Sequence, residues 1–146
     1  MSPAAPLPQL TFKAIVLGII LSMILAGANA YLGLFAGMTV SASIPAAVIS
    51  MGILSLFRES NILENNIVQT AASAGESVAA GVIFTIPALV LLGYWNVFDY
   101  WWVSVIAGLG GLLGVLFTIP LRRSLIVEEG LAFPEGKATA EVLKVG

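Results

Sequence analysis

The sequence has no cysteine and no histidine. The first absence excludes disulfides and thiol chemistry, and it says nothing about redox compartment because there is nothing to keep reduced. The second removes the side chain that ordinarily titrates between pH 5 and 8. Together they remove most zinc sites. No metal and no cofactor are expected. Charge is scarce as well: six Lys and Arg and eight Asp and Glu make 10% of the chain, against about 25% in soluble domains. The basic residues form no block and do not interleave with aromatics, so nucleic acid is not an expected partner. Enzyme readings fail on inventory. There is no GxSxG and no pair of membrane aspartates, and Gly108, Gly110, Gly111 and Gly114 are not followed by the Lys and Ser/Thr of a phosphate loop. Those glycines read instead as small-residue faces for close helix packing.

What is abundant is apolar sequence. Hydrophobic residues make up 59% of 146, and the mean hydropathy is +1.03. No soluble core of this size hides that much, so the fold class expected is all-α and integral to a lipid bilayer. Residues 1–11 read as a tail ending at a helix cap, Thr11, and 12–121 as a transmembrane region of about four helices. Residues 122–146 read as a polar loop with a short helix from about Lys137. The spans fall near 12–31, 38–57, 62–93 and 103–121. Lys13, the first apolar run and Ala28-Asn29-Ala30 imitate a cleaved signal; the uncharged lead and the spans that follow argue against it. Pro45 should kink the second span or start a helical half. The third segment is too long for one crossing: 32 residues rise about 48 Å, against a hydrocarbon core of about 30 Å. Either its polar first half extends beyond the core or it breaks, at Gly75 or Gly81, with Pro87 as a kink. Tyr94, Trp95, Phe98, Tyr100, Trp101 and Trp102 form an interfacial aromatic belt. With four spans, all six basic residues fall on one side. The positive-inside rule makes that side, and both ends, cytoplasmic.

The third segment holds the polar residues that an apolar chain can least afford. Asn66, Gln69, Ser73, Glu76 and Ser77 step by three or four and share one helical stripe. Asn61 and Glu64 have capping-box spacing, and Glu64 reads as a cap rather than a ligand. Glu76 is the sharpest residue, because a carboxylate at membrane depth costs about 3 kcal/mol on insertion scales. It is a substrate contact or proton carrier, or else a brace at headgroup level or at a helix break. Asn65, Asn66 and Gln69 both donate and accept, which suits peptide groups; the bland alternative is helix–helix adhesion. Asn29 reads more as adhesion than as a ligand. Phe133, Pro134, Glu135 and Gly136 form a rigid turn into a helix, read as a gate element or a capped loop.

Three stretches together resemble one family: AYLGLFAGMTVSASIPAAVISM at 30–51, NILENNIVQTAASAGES at 61–77 and GLAFPEGKATAEVL at 130–143. They resemble the N-terminal region of the oligopeptide transporter family, whose superfamily includes the yellow-stripe-like metal-chelate carriers. The resemblance implies a secondary transporter, generally proton-coupled, of small peptides or of metal chelates, in a bacterial inner membrane. It implies that Phe133, Pro134 and Gly136 follow the fourth span at a re-entrant or cytoplasmic gate. Such transporters have well over a dozen spans, so the expected partners are the remaining spans of a larger bundle, lipid and a peptide or metal-chelate substrate. A small membrane scaffold that binds partner helices through its glycine faces is the alternative. The stripe around Glu76 favours the transporter, since a scaffold has no need of it.

Overall fold

The computed structural model describes residues 7–57 and 60–145. Arg58, one of the six basic residues in the topology argument, and residues 1–6 of the expected tail lie outside the described residues. Among the described residues, all regular structure is helical: α1 (Phe12–Ala36), α2 (Ser43–Leu54), α3 (Ile62–Leu91), α4 (Tyr100–Arg122) and α5 (Pro134–Val145), with a π-helical segment, Arg123–Glu128, continuing α4. Among the described residues, three helices are long and apolar enough to cross a membrane: α1, α3, and α4 with its π-helical extension.

The helix ends follow local chemistry. Thr11 caps α1 by accepting from the Ala14 N–H at 3.4 Å. Helix α1 runs past its expected end and stops at Gly37, whose φ of +70° places it in the left-handed region that favours glycine. At α3, Asn61 accepts from the N–H groups of Leu63 and Glu64 at 2.9 and 3.1 Å, and Glu64 accepts the Asn61 N–H at 3.3 Å. This is the capping box expected from the spacing. Asp99 caps α4 through the N–H groups of Trp101 and Trp102.

Helices α1 and α3 form the spine of the bundle, and they run parallel. Thr11 and Lys13 meet Glu64, Gly18 meets Ala71, Ser22 meets Gly75, and Gly33 meets Ile83. Small residues make this closeness possible: a Cβ on Gly18 would lie 2.9 Å from that of Ala71. The core between them is Ala14, Leu21, Val68 and Ala72, closed by Ala46 and Leu54 of α2. At Gly75 a Cβ would collide with the Ser22 hydroxyl. Valine and glycine differ little in helix propensity, so Gly75→Val isolates this collision. We expect it to cost about 1–3 kcal/mol, seen as a lower melting temperature of the full-length protein, with Ser22→Gly in the same chain restoring most of it. A Gly75→Val protein that melts like wild type would contradict this packing.

Two findings correct the sequence expectations. The third segment does not break: α3 is one continuous helix through Gly75, Gly81 and Pro87. Gly75 is there for close approach to Ser22, and an intact helix keeps its backbone polar groups satisfied in apolar surroundings. At 30 residues α3 is about 45 Å long, longer than a hydrocarbon core of about 30 Å. The discontinuity is in the second segment instead. Of residues 38–57 only Ser43–Leu54 is helical, 12 residues or about 18 Å. Because α1 and α3 are parallel, the chain between them must return through the thickness of the bundle. Ser43 pairs with Ser73 and Ser50 with Asn65, so α2 runs antiparallel to α3. The return path is thus a non-helical stretch, 38–42, followed by a half-helix. Pro45 sits in the first turn of α2, where its missing N–H costs nothing.

Helix α4 returns after the aromatic connection 92–99 and touches α3 where Gly111 faces Val78; no residue of α4 is buried. Helix α5 lies beside α2 in the same direction. Glu135 is hydrogen-bonded to Ser41 at one end, and Val142 and Val145 lie near Met51 at the other.

Candidate functional site

Removing residues 38–42 from a helix leaves backbone polar groups that lipid cannot satisfy. Asn29 supplies partners. Its side-chain amide donates to the Val40 carbonyl at 2.7 Å and accepts from the Val40 N–H at 3.0 Å. Asn29 is buried in this role, so it fastens the non-helical stretch to α1. The stretch ends at Ala42, which offers α2 no side-chain cap; the Ser41 hydroxyl accepts the Ser43 N–H at 3.4 Å.

Where the half-helix begins, three helices meet around a cavity of about 440 Å³. Helix α3 contributes Asn66, Gln69 and Ser73, α2 contributes Ser43, and α5 contributes Glu135, Gly136, Thr139, Ala140 and Leu143, with Phe133 just before it. Ser73 and Ser43 hydroxyls are 3.1 Å apart and tie α3 to α2 at the floor. Ser73 lies about 16 Å along the axis from the start of α3, so the cavity is set well into the bundle. Helix α5 reaches it because Pro134, with φ already suited to a first helical turn, starts the helix there. Glu135 then accepts a hydrogen bond from the Ser41 hydroxyl of the non-helical stretch.

The expected stripe is divided by the fold. Asn66, Gln69 and Ser73 come together, with Phe133 and Gly136 opposite and Pro134 at the foot of α5. Asn65 turns to α2, where its carbonyl oxygen is 2.8 Å from the fully buried Ser50 hydroxyl; this is adhesion between helices. Ser77 bonds back to the Ser73 carbonyl and lines a different, apolar groove between α3 and α4. Glu76 lies one turn beyond Ser73 and is 8% exposed. No hydrogen bond or ion pair to its carboxylate is found among the described residues, and Glu135 lies within electrostatic range of it. Glu64, by contrast, is fully buried and saturated by Thr11, Lys13 and Asn61.

Sequence reasoning missed Ser41, Ser43 and Thr139 as neighbours of the stripe. The available signal was three hydroxyls at 39, 41 and 43 immediately before Pro45, a run that reads as a helix start rather than the middle of a span. The arrangement can hold a small polar solute through amide and hydroxyl groups. Among the described residues no group of acids could hold a metal ion.

Comparison with known proteins follows the same residues. The family model described as OPT oligopeptide transporter protein matches residues 9–146. A Haemophilus influenzae protein named "Putative oligopeptide transporter" is 54% identical over 116 residues, covering 80% of this chain and 18% of its own. A Saccharomyces cerevisiae protein of the same name is 28% identical over 95% of this chain and 22% of its own. A metal-nicotianamine transporter of Arabidopsis thaliana is 29% identical over 92% of this chain and 24% of its own. The chain therefore spans about a fifth of the length of these curated relatives. No solved structure matches it.

Proposed function

The chain belongs to the oligopeptide transporter family, and from that premise we propose that it forms the N-terminal part of a proton-coupled secondary transporter of small peptides. The observation that carries this reading is the 440 Å³ cavity where the second crossing segment is unwound. Secondary transporters bind solutes beside discontinuous helices, at the interface between halves that rock about a fixed site. An unwound crossing is tolerated at membrane depth only where it is buried in protein or lines a water-filled space. The lining is amide and hydroxyl on one side and Phe133 on the other, which matches a short peptide's backbone and an apolar side chain. The remaining spans of the longer protein are the proposed cover for α4 and for the groove of about 530 Å³ between α3 and α4. We place both ends in the cytoplasm of a bacterial cell and the protein in its inner membrane.

The second reading, transport of a metal chelate, rests on the similarity to the plant metal-nicotianamine carrier. Uptake by the full-length protein in proteoliposomes separates the two. With an inward proton gradient, labelled alanyl-alanine should accumulate and the accumulation should collapse with a protonophore. Accumulation of a metal–nicotianamine complex without any of the dipeptide would replace the peptide reading.

A further inference from the structure

We infer that the cavity takes the amino-terminal ammonium of its peptide, with Glu135 as the counter-charge. The inference rests on the peptide reading and specifies which end of the peptide enters. Among the described residues, Glu135 is the charged residue of the cavity's lining, and no lysine or arginine lines it. Glu76, the other acid nearby, is more than nine-tenths buried and makes no hydrogen bond or ion pair among the described residues. A cavity lined by one carboxylate and otherwise neutral, with a second carboxylate one helical turn beyond its wall, attracts a cation and repels a carboxylate.

The competing reading is that two helix starts, at Ser43 and Pro134, would hold the peptide's carboxylate. Helix N-termini do favour anions. Here their donors are largely spoken for. The Ser43 N–H is directed to the Ser41 hydroxyl, Pro45 and Pro134 have no N–H, and the first turn of α5 already carries Glu135. An ammonium, with three donors, can instead meet the Glu135 carboxylate together with the Ser43 or Ser73 hydroxyl or the Gln69 carbonyl oxygen.

The pairing also explains why two acids sit within range of each other. Two like charges in a partly dry site repel, and that repulsion is relieved when each gains one positive charge.

The test is competition against uptake of labelled alanyl-alanine by the full-length transporter. Alanyl-alanine amide, which keeps the free amine, should compete within a few-fold of the dipeptide. N-acetyl-alanyl-alanine, which keeps the carboxylate, should compete at least tenfold less well. Glu135→Gln should weaken alanyl-alanine at least tenfold and erase the difference between the two analogues, while its folded yield stays near wild type. Strong competition by the N-acetyl peptide with loss of competition by the amide overturns the inference, as does a Glu135→Gln protein that still discriminates. Absence of any dipeptide uptake by the wild-type protein would instead sink the peptide reading on which the inference rests.

Discussion

Replacing Glu76 with glutamine in the full-length protein is expected to abolish proton-driven accumulation while leaving exchange of substrate at equal concentrations. Glutamine keeps the shape and the hydrogen-bonding capacity of the side chain and loses only titration. Glu76 is buried, has no ion-pair partner among the described residues, and lies one turn beyond Ser73 of the cavity wall. A proton carrier needs a titratable group inside a low-dielectric path, and the chain offers no histidine for the task. The effect should be large. Uphill uptake in proteoliposomes should fall to the level set by equal concentrations on both sides, and counterflow of labelled dipeptide should continue. Normal accumulation at normal protein level would remove Glu76 from coupling. In that case Glu76→Ala should lower folded yield more than activity per molecule, as a buried brace would.

Glu64 should behave in the opposite way. Its carboxylate is fully buried, 3.1 Å from Lys13 and bonded to Thr11 and the Asn61 N–H. It therefore joins the first turns of α1 and α3 and caps α3 at the same time. Removing one member of a buried ion pair costs about 3–5 kcal/mol, and losing a cap adds about 1 kcal/mol. Against a typical total stability of about 5–15 kcal/mol, Glu64→Ala should strip most folded protein from the membrane fraction. Glu64→Gln should be intermediate, since its amide oxygen still accepts from Thr11 and the Asn61 N–H. Size-exclusion profiles and melting temperatures of the purified variants measure this. Whatever Glu64→Ala protein does fold should transport normally per molecule. Normal folding with lost transport would place Glu64 in the path and contradict its structural role.

The helix caps at Thr11, Asn61 and Asp99 involve neighbours in sequence, so Thr11 and the Asn61–Glu64 box were readable from spacing alone. Apolar run length likewise carried the all-helical membrane class. Continuity was not readable in the same way. Gly75 as a letter is compatible with a break or with close packing, and only the position of Ser22, 53 residues earlier in the chain, decides between them. The same holds for residues 38–42. Their composition suits a span, and they stay out of a helix where Asn29 of α1 satisfies the Val40 backbone. Of the stripe on α3, Asn66, Gln69 and Ser73 line one cavity. The stripe could not reveal that Asn65 is taken by Ser50 or that Ser77 faces α4, because those outcomes depend on which helices occupy each side. Glu135 was visible within its motif, but its place beside Ser41 comes from a contact across 94 positions.

Accessibility of Ser73 tests the central claim, that solute passes through the cavity between α2, α3 and α5. The chain has no cysteine, so Ser73→Cys in a full-length protein otherwise freed of cysteine gives a single reporter on the cavity floor. The account predicts that a membrane-impermeant thiol reagent modifies it and that saturating alanyl-alanine slows the modification at least tenfold. A cysteine at Ser73 that does not react, or that reacts at the same rate with and without the dipeptide, would contradict it.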